Sequence, residues 1–198
     1  MKDMLEKLRD FPPKRILIII AIASTITTIA LFLEMRRIDA LLMRSGYGIV
    51  DFELAFSIKK ASTILGSWGE NLAGIARRSL IFDFAFLVSY GFCLSSVTLL
   101  ISRKLEYRLQ TLGLGIAILP MMAALIDASE NILLLNFMDN LTRMVVGNMV
   151  VMRYYLAANR FIFLAGICAS LKFFLLGIVF LFIVLGGGYA LFRKFKSI

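Results

Sequence analysis

Hydrophobic residues in this chain come in long blocks. They do not alternate singly with polar ones, as they would in half-buried strands. Four blocks, residues 16–33, 80–101, 112–135 and 161–185, are long enough to cross a bilayer as helices, since a spanning helix needs roughly 20 mostly apolar residues. Between the first and second blocks, Leu54, Ile58, Ala61, Leu65, Trp68, Leu72 and Ile75 recur at alternating intervals of four and three, a helical stripe. Gly66 and Gly69 interrupt it. Ser67-Trp68-Gly69-Glu70 has capping-box spacing, and Asp51 stands where it can cap a helix starting at Phe52. The pattern therefore predicts two helices, 52–65 and 68–101, the second running on into span two. Met138, Leu141, Met144, Val145, Met152 and Tyr155 give the connection before span four an apolar side. It predicts a second amphipathic helix over 138–156, broken near Gly147. Pro120 lies inside span three and predicts a kink there.

The expected fold is all-α: an integral membrane four-helix bundle, one domain over 1–198, with one or two amphipathic interfacial helices on the outer side. Composition agrees. The chain has 198 residues, 60% of them hydrophobic, against about 45–50% in soluble domains. The N-terminal segment, charged and ended by Pro12-Pro13, precedes an apolar run that lacks a small-residue cleavage site. It predicts an uncleaved first span in place of a signal peptide.

Charge fixes the expected orientation. The net charge is +9, but the basic residues flank the spans, so a nucleic-acid partner is not expected. Residues 1–15 carry five Lys and Arg, 102–111 three and 193–198 three. By the positive-inside rule both termini are expected in the cytoplasm. Glu34, Asp39, Asp51, Glu53 and Glu70 dilute the basic residues of the 34–79 connection. The chain has no histidine, which removes histidine-ligated haem, most zinc and copper sites and histidine acid–base chemistry. No metal or other cofactor is expected. Cys93 and Cys168 lie within spans and read as packing residues.

Polar groups inside the spans carry the candidate chemistry. Asp127, Glu130 and Asn131 stand at i, i+3 and i+4 in span three, hence on one helix face. Asp83 and Tyr90 lie at i and i+7 in span two, and Lys172 lies in span four. At 1.5 Å per residue, Asp127 is roughly 13 Å below the outer end of its span, Glu130 roughly 9 Å, and Lys172 roughly 10–16 Å inside its own. Ionisable groups at such depths are expensive and face protein, water or a ligand. The expected relief is an ion pair between Lys172 and Asp127 or Glu130. That leaves carboxylates in surplus, to be protonated, hydrated or bound to something positive.

Three readings stay open: polar glue between helices, a site that binds or transports a cation or cationic amphiphile, and a lipid-acting enzyme using paired carboxylates. In the second, Asp127 and Glu130 bind the positive charge, Asp83 assists, Lys172 neutralises, and Tyr90 and Asn131 orient. The enzyme reading lacks an evident nucleophile; Ser129 is a weak candidate, because a mid-helix serine tends to bond its own backbone. The bilayer is the expected partner. A homo-oligomer, or a partner membrane subunit that uses the polar faces, is the other possibility.

Asp51-x-Glu53-Leu54-Ala55, Ile64-Leu65-x-x-Trp68-Gly69, Asp83-x-x-Phe86 with Tyr90-Gly91, and Asp127-x-x-Glu130-Asn131 resemble a pattern in a family of small, uncharacterised four-span prokaryotic membrane proteins. The resemblance covers about residues 45–135. It implies one folding unit and no particular activity.

Overall fold

The computed structural model describes residues 8–144 and 152–196. All regular structure in them is helical. Helix α1 is Lys14–Leu42, followed by a 3-10 turn at Met43–Ser45. Helix α2 is Ile49–Glu53, α3 Ile58–Ser102, α4 Tyr107–Ile116, α5 Leu119–Met144 and α6 Met152–Lys196. Four stretches are long and apolar enough to cross a membrane: Lys14–Ser45, Ile58–Ser102, Arg108–Leu141 and Tyr154–Arg193. The chain is an all-α helical bundle and a multi-pass membrane protein. Only 11% of the apolar window of the first span is buried, against 39% for the second, so α1 leaves most of its surface outside the bundle.

Local chemistry explains where the elements differ from the sequence pattern. The first interfacial stretch divides into the five-residue α2 and the leading arm of α3. Asp51 is not the cap of α2. Gly48 is the N-cap, and the Asp51 carboxylate accepts its backbone N–H at 2.9 Å from the third helical position. A side chain at Gly48 would meet the Asp39 carboxylate at 2.7 Å, so Asp39 would have to give way. Along α3 the break falls at Gly69 alone, with φ 63° and ψ 179°. That conformation is essentially closed to residues with a side chain. Ser67 does not cap there, because its hydroxyl donates to the Ile64 carbonyl at 2.7 Å.

Span three is two helices, with α4 ending at Ile116 and α5 starting at Leu119. Pro120 sits in the first turn of α5, where its missing N–H has no intrahelical partner to lose. The second interfacial helix expected over 138–156 is not a separate element where the chain is described. Residues up to Met144 continue α5 and those from Met152 open α6, because the apolar stripe extends the spans themselves. Residues 145–151, with the break expected at Gly147, lie outside the described residues.

Two compact units can be distinguished along the helices. One comprises residues 1–29, 88–124 and 173–198; the other comprises 30–87 and 125–172. The long helices contribute to both. The first unit has a small core of Leu17, Leu99, Leu114 and Ala117. Its N-terminal segment is held by Arg103, whose guanidinium donates to the Pro12 and Leu8 carbonyls at 2.7 and 2.9 Å. Cys93, whose sulfur lies 3.2 Å from the Thr25 hydroxyl, and Cys168 are both free thiols.

The second unit has the larger core: Leu42, Phe52, Ile64, Trp68, Leu80, Leu134, Phe137 and Ile162 among others. Phe52 stands 5.4 Å from Trp68 and 5.9 Å from Phe137, ring centre to ring centre. Here α3 and α5 are antiparallel, since Arg77 pairs with Asp139 while Asp83 pairs with Asn131. This unit carries the polar cluster.

Candidate functional site

In the second unit, three long helices and one short one each send polar groups to one buried point. The Lys172 ammonium, on α6, lies 2.8 Å from Asp127 Oδ1, 2.9 Å from Glu130 Oε2 and 3.3 Å from Glu53 Oε2. Asp127 and Glu130 come from α5, one turn apart. Glu53 is the last residue of α2. One residue after Glu130, the Asn131 amide donates to Asp83 Oδ2, on α3, at 2.6 Å. All six residues are less than a tenth exposed, and Glu130 and Asn131 are fully buried.

Geometry distinguishes the three ion pairs. Lys172 donates directed hydrogen bonds to Asp127 and Glu53. Its contact with Glu130 is close in distance but poorly aligned, so neither Glu130 oxygen has a hydrogen-bond partner of good geometry. The Asn131 carbonyl oxygen is also buried without one. An ammonium offers three donors, and here three carboxylates surround it. Lys172 is the only buried Lys or Arg among the described residues. Four buried carboxyl groups, three of them on the ammonium, are therefore set against one buried cation, and protons, water or a cation must make up the balance. Glu53, which lies outside the spans, shows the effect. Its burial pushes the carboxyl above the usual carboxylate range, with Lys172 pulling the other way and Asp127 reinforcing the rise.

Five of the six residues singled out in the sequence, Asp83, Asp127, Glu130, Asn131 and Lys172, are brought together in this unit. The sixth, Tyr90, is buried but belongs to the other unit. Glu53 is the addition that the pattern of spans does not supply. Its signal is local: it is flanked by Phe52, Leu54, Ala55 and Phe56. Ser129 is exposed and bonds the Leu125 carbonyl at 3.0 Å, turned to its own helix. Among the described residues no group of three or more His, Cys, Asp or Glu is disposed to hold a metal; the ammonium occupies the centre of the acids.

Comparison with protein-family models, curated proteins and solved structures gave no match.

Proposed function

We propose that this is a small polytopic membrane protein whose carboxylate-rich site binds or transports a cationic amphiphile, with Lys172 as the internal cation that the ligand's charged head replaces. The observation that carries this reading is the seat of Lys172: one ammonium among three carboxylates from two elements, with Asp83 and Asn131 beside it. A seat that accepts a tethered alkylammonium has the charge and acceptor geometry for a free one, and its surplus carboxyls supply protons to exchange for it. Asp127 and Glu130 hold the charge, and Asp83 and Asn131 keep the acids oriented. With both termini cytoplasmic, as the basic flanks favour, the site opens toward the outer side.

The test uses the purified protein in nanodiscs. Dodecylammonium is expected to bind more tightly than dodecanol, which has the same chain and no charge, and to release protons as it binds. The Asp127→Asn and Glu130→Gln substitutions together are expected to remove the difference. In oriented proteoliposomes the probe acts from the face opposite the termini. Equal binding of the two probes, or an unchanged preference in the double variant, would sink the reading.

A second reading is favoured by the completeness of burial. The cluster ties α2 to α5 and α6, as a structural lock or as the core of an accessory subunit. On that reading the double variant loses stability and the wild-type protein shows no charge preference among amphiphiles.

A further inference from the structure

Residues 46–56 form a layer one short helix thick that reaches the carboxylate cluster through Glu53. Its inner side is Phe52, Glu53 and Ala55, all buried; its outer side includes Val50 and Phe56, 47% and 39% exposed. The layer is anchored in the core by Phe52, which packs on Trp68 and Phe137, and polar contacts join it to the rest of the unit. The Trp68 indole N–H donates to the Tyr47 carbonyl at 2.9 Å, the Asp39 carboxylate accepts the Ile49 N–H at 2.8 Å, and Glu53 meets Lys172 at 3.3 Å.

Both ends have unusual backbone. Gly46 has φ 97°, and Phe56 has φ 55°, a left-handed conformation that a bulky residue rarely adopts. The Phe56 ring is seated against Gly166 so closely that a side-chain carbon there would lie 2.6 Å from it.

We propose that this segment is a lid, hinged at Gly46 and Phe56, that lifts from the site when Glu53 carries its charge and seats when Glu53 is neutral. The inference deepens the cation-site reading and rests on it for its purpose. The groups facing Glu53 are Lys172 from α6 and Asp127 and Glu130 from α5, with Asp83 of α3 beyond them; Asp39 of α1 faces the lid's main chain. An ionised Glu53 thus adds a negative charge where acids already outnumber the ammonium, and it has the longest of the three contacts with Lys172. Asp83, Asp127 and Glu130 are fixed on long helices. Glu53 alone can relieve the crowding by moving, because its helix is five residues long and lies between the hinges.

The raised proton affinity of Glu53 points the same way. A proton held more tightly in the seated lid than in the lifted one favours seating at low pH. That advantage is lost as pH rises through the raised value.

Trp68 reports on the lid without any ligand. It is the only tryptophan, and its indole bonds the lid and packs on Phe52. In nanodiscs, acrylamide quenching of Trp68 and amide exchange at residues 47–55, corrected for intrinsic rates, are followed from about pH 5 to about pH 9. For the wild type, quenching is expected to rise about threefold with pH. Glu53→Gln is expected to stay at the low value throughout. Gly166→Ala, which expels the Phe56 ring without altering a charge, is expected to be high throughout. A flat wild-type curve, a Glu53→Gln curve that follows the wild type, or a shielded Trp68 in Gly166→Ala overturns the lid. If one variant loses its helical circular dichroism, the other decides together with the wild-type curve. Because no ligand is present, failure here leaves the amphiphile test standing, and failure of that test leaves this one standing.

Discussion

Removing Lys172 and neutralising Glu130 act on the same ion pair with unequal expected consequences. Lys172→Met leaves Asp127, Glu130 and Glu53 buried without their shared cation. Breaking a buried pair from one side costs about 3–5 kcal/mol. Glu130→Gln removes a surplus negative charge whose oxygens make no well-aligned hydrogen bond, so stability is expected to stay within about 1 kcal/mol of the wild type. Thermal unfolding in detergent distinguishes the two; equal losses would mean that Glu130 is as firmly paired as Lys172. This contrast was partly legible in the sequence. Asp127, Glu130 and Asn131 share a face by spacing alone, and a lysine within a span predicts a carboxylate partner. Glu53 was not legible in that way. It sits in a connection with Arg44, Lys59 and Lys60, where an acid is expected to be solvated, and its contact with Lys172 joins residues 119 positions apart. Tyr90 shows the converse: its spacing from Asp83 is helical, yet residues seven apart on one long helix fall in different compact units.

Elements were legible where hydropathy sets them and less so where backbone conformation does. The four spans follow from apolar length. The interruption expected between helices 52–65 and 68–101 falls instead at Gly69, inside the second of them, because a glycine's role depends on its φ and ψ. Gly69 adopts φ 63° and ψ 179°, whereas Gly66 lies in regular helix with open space around its Cα. Alanine at the two positions is therefore expected to act in opposite directions. Gly69→Ala forces a side chain into a region reserved for glycine and is expected to cost about 1–3 kcal/mol. Gly66→Ala removes unfolded-state freedom at no steric cost and is expected to gain up to about 1 kcal/mol. Unfolding midpoints of the two variants check this. A stabilised Gly69→Ala would mean that the leading arm of α3 runs straight into the span.

At the scale of the whole molecule, the spans expose many large apolar side chains and bury Asp83, Asp127, Glu130 and Lys172, the reverse of a soluble bundle. Leu125 and Asp127 on α5 show this most directly. They are two residues apart, about 200° around the helix. Leu125 is 70% exposed, while Asp127 is 4% exposed and bonded to Lys172. Composition announced a membrane protein, but average hydropathy cannot tell which side of a helix meets lipid; the polar spacing within span three was the part of the sequence that could. A lysine at position 125, near the middle of the Arg108–Leu141 span, would put an unpaired charge against hydrocarbon, costing about 2.5–3.5 kcal/mol on insertion scales. The charge already at position 127 is tolerated because protein surrounds it. Leu125→Lys is therefore expected to lower the membrane-inserted fraction in a translocation assay, whereas Asp127→Leu is expected to insert at least as well as the wild type. In the folded protein the order changes: Asp127→Leu takes the closest carboxylate from Lys172 and loses thermal stability. Insertion and stability thus respond to different faces of one helix. If Leu125→Lys inserts and folds like the wild type, that face of α5 meets protein or water in the assembled state, and the outward-apolar arrangement fails at its most exposed point.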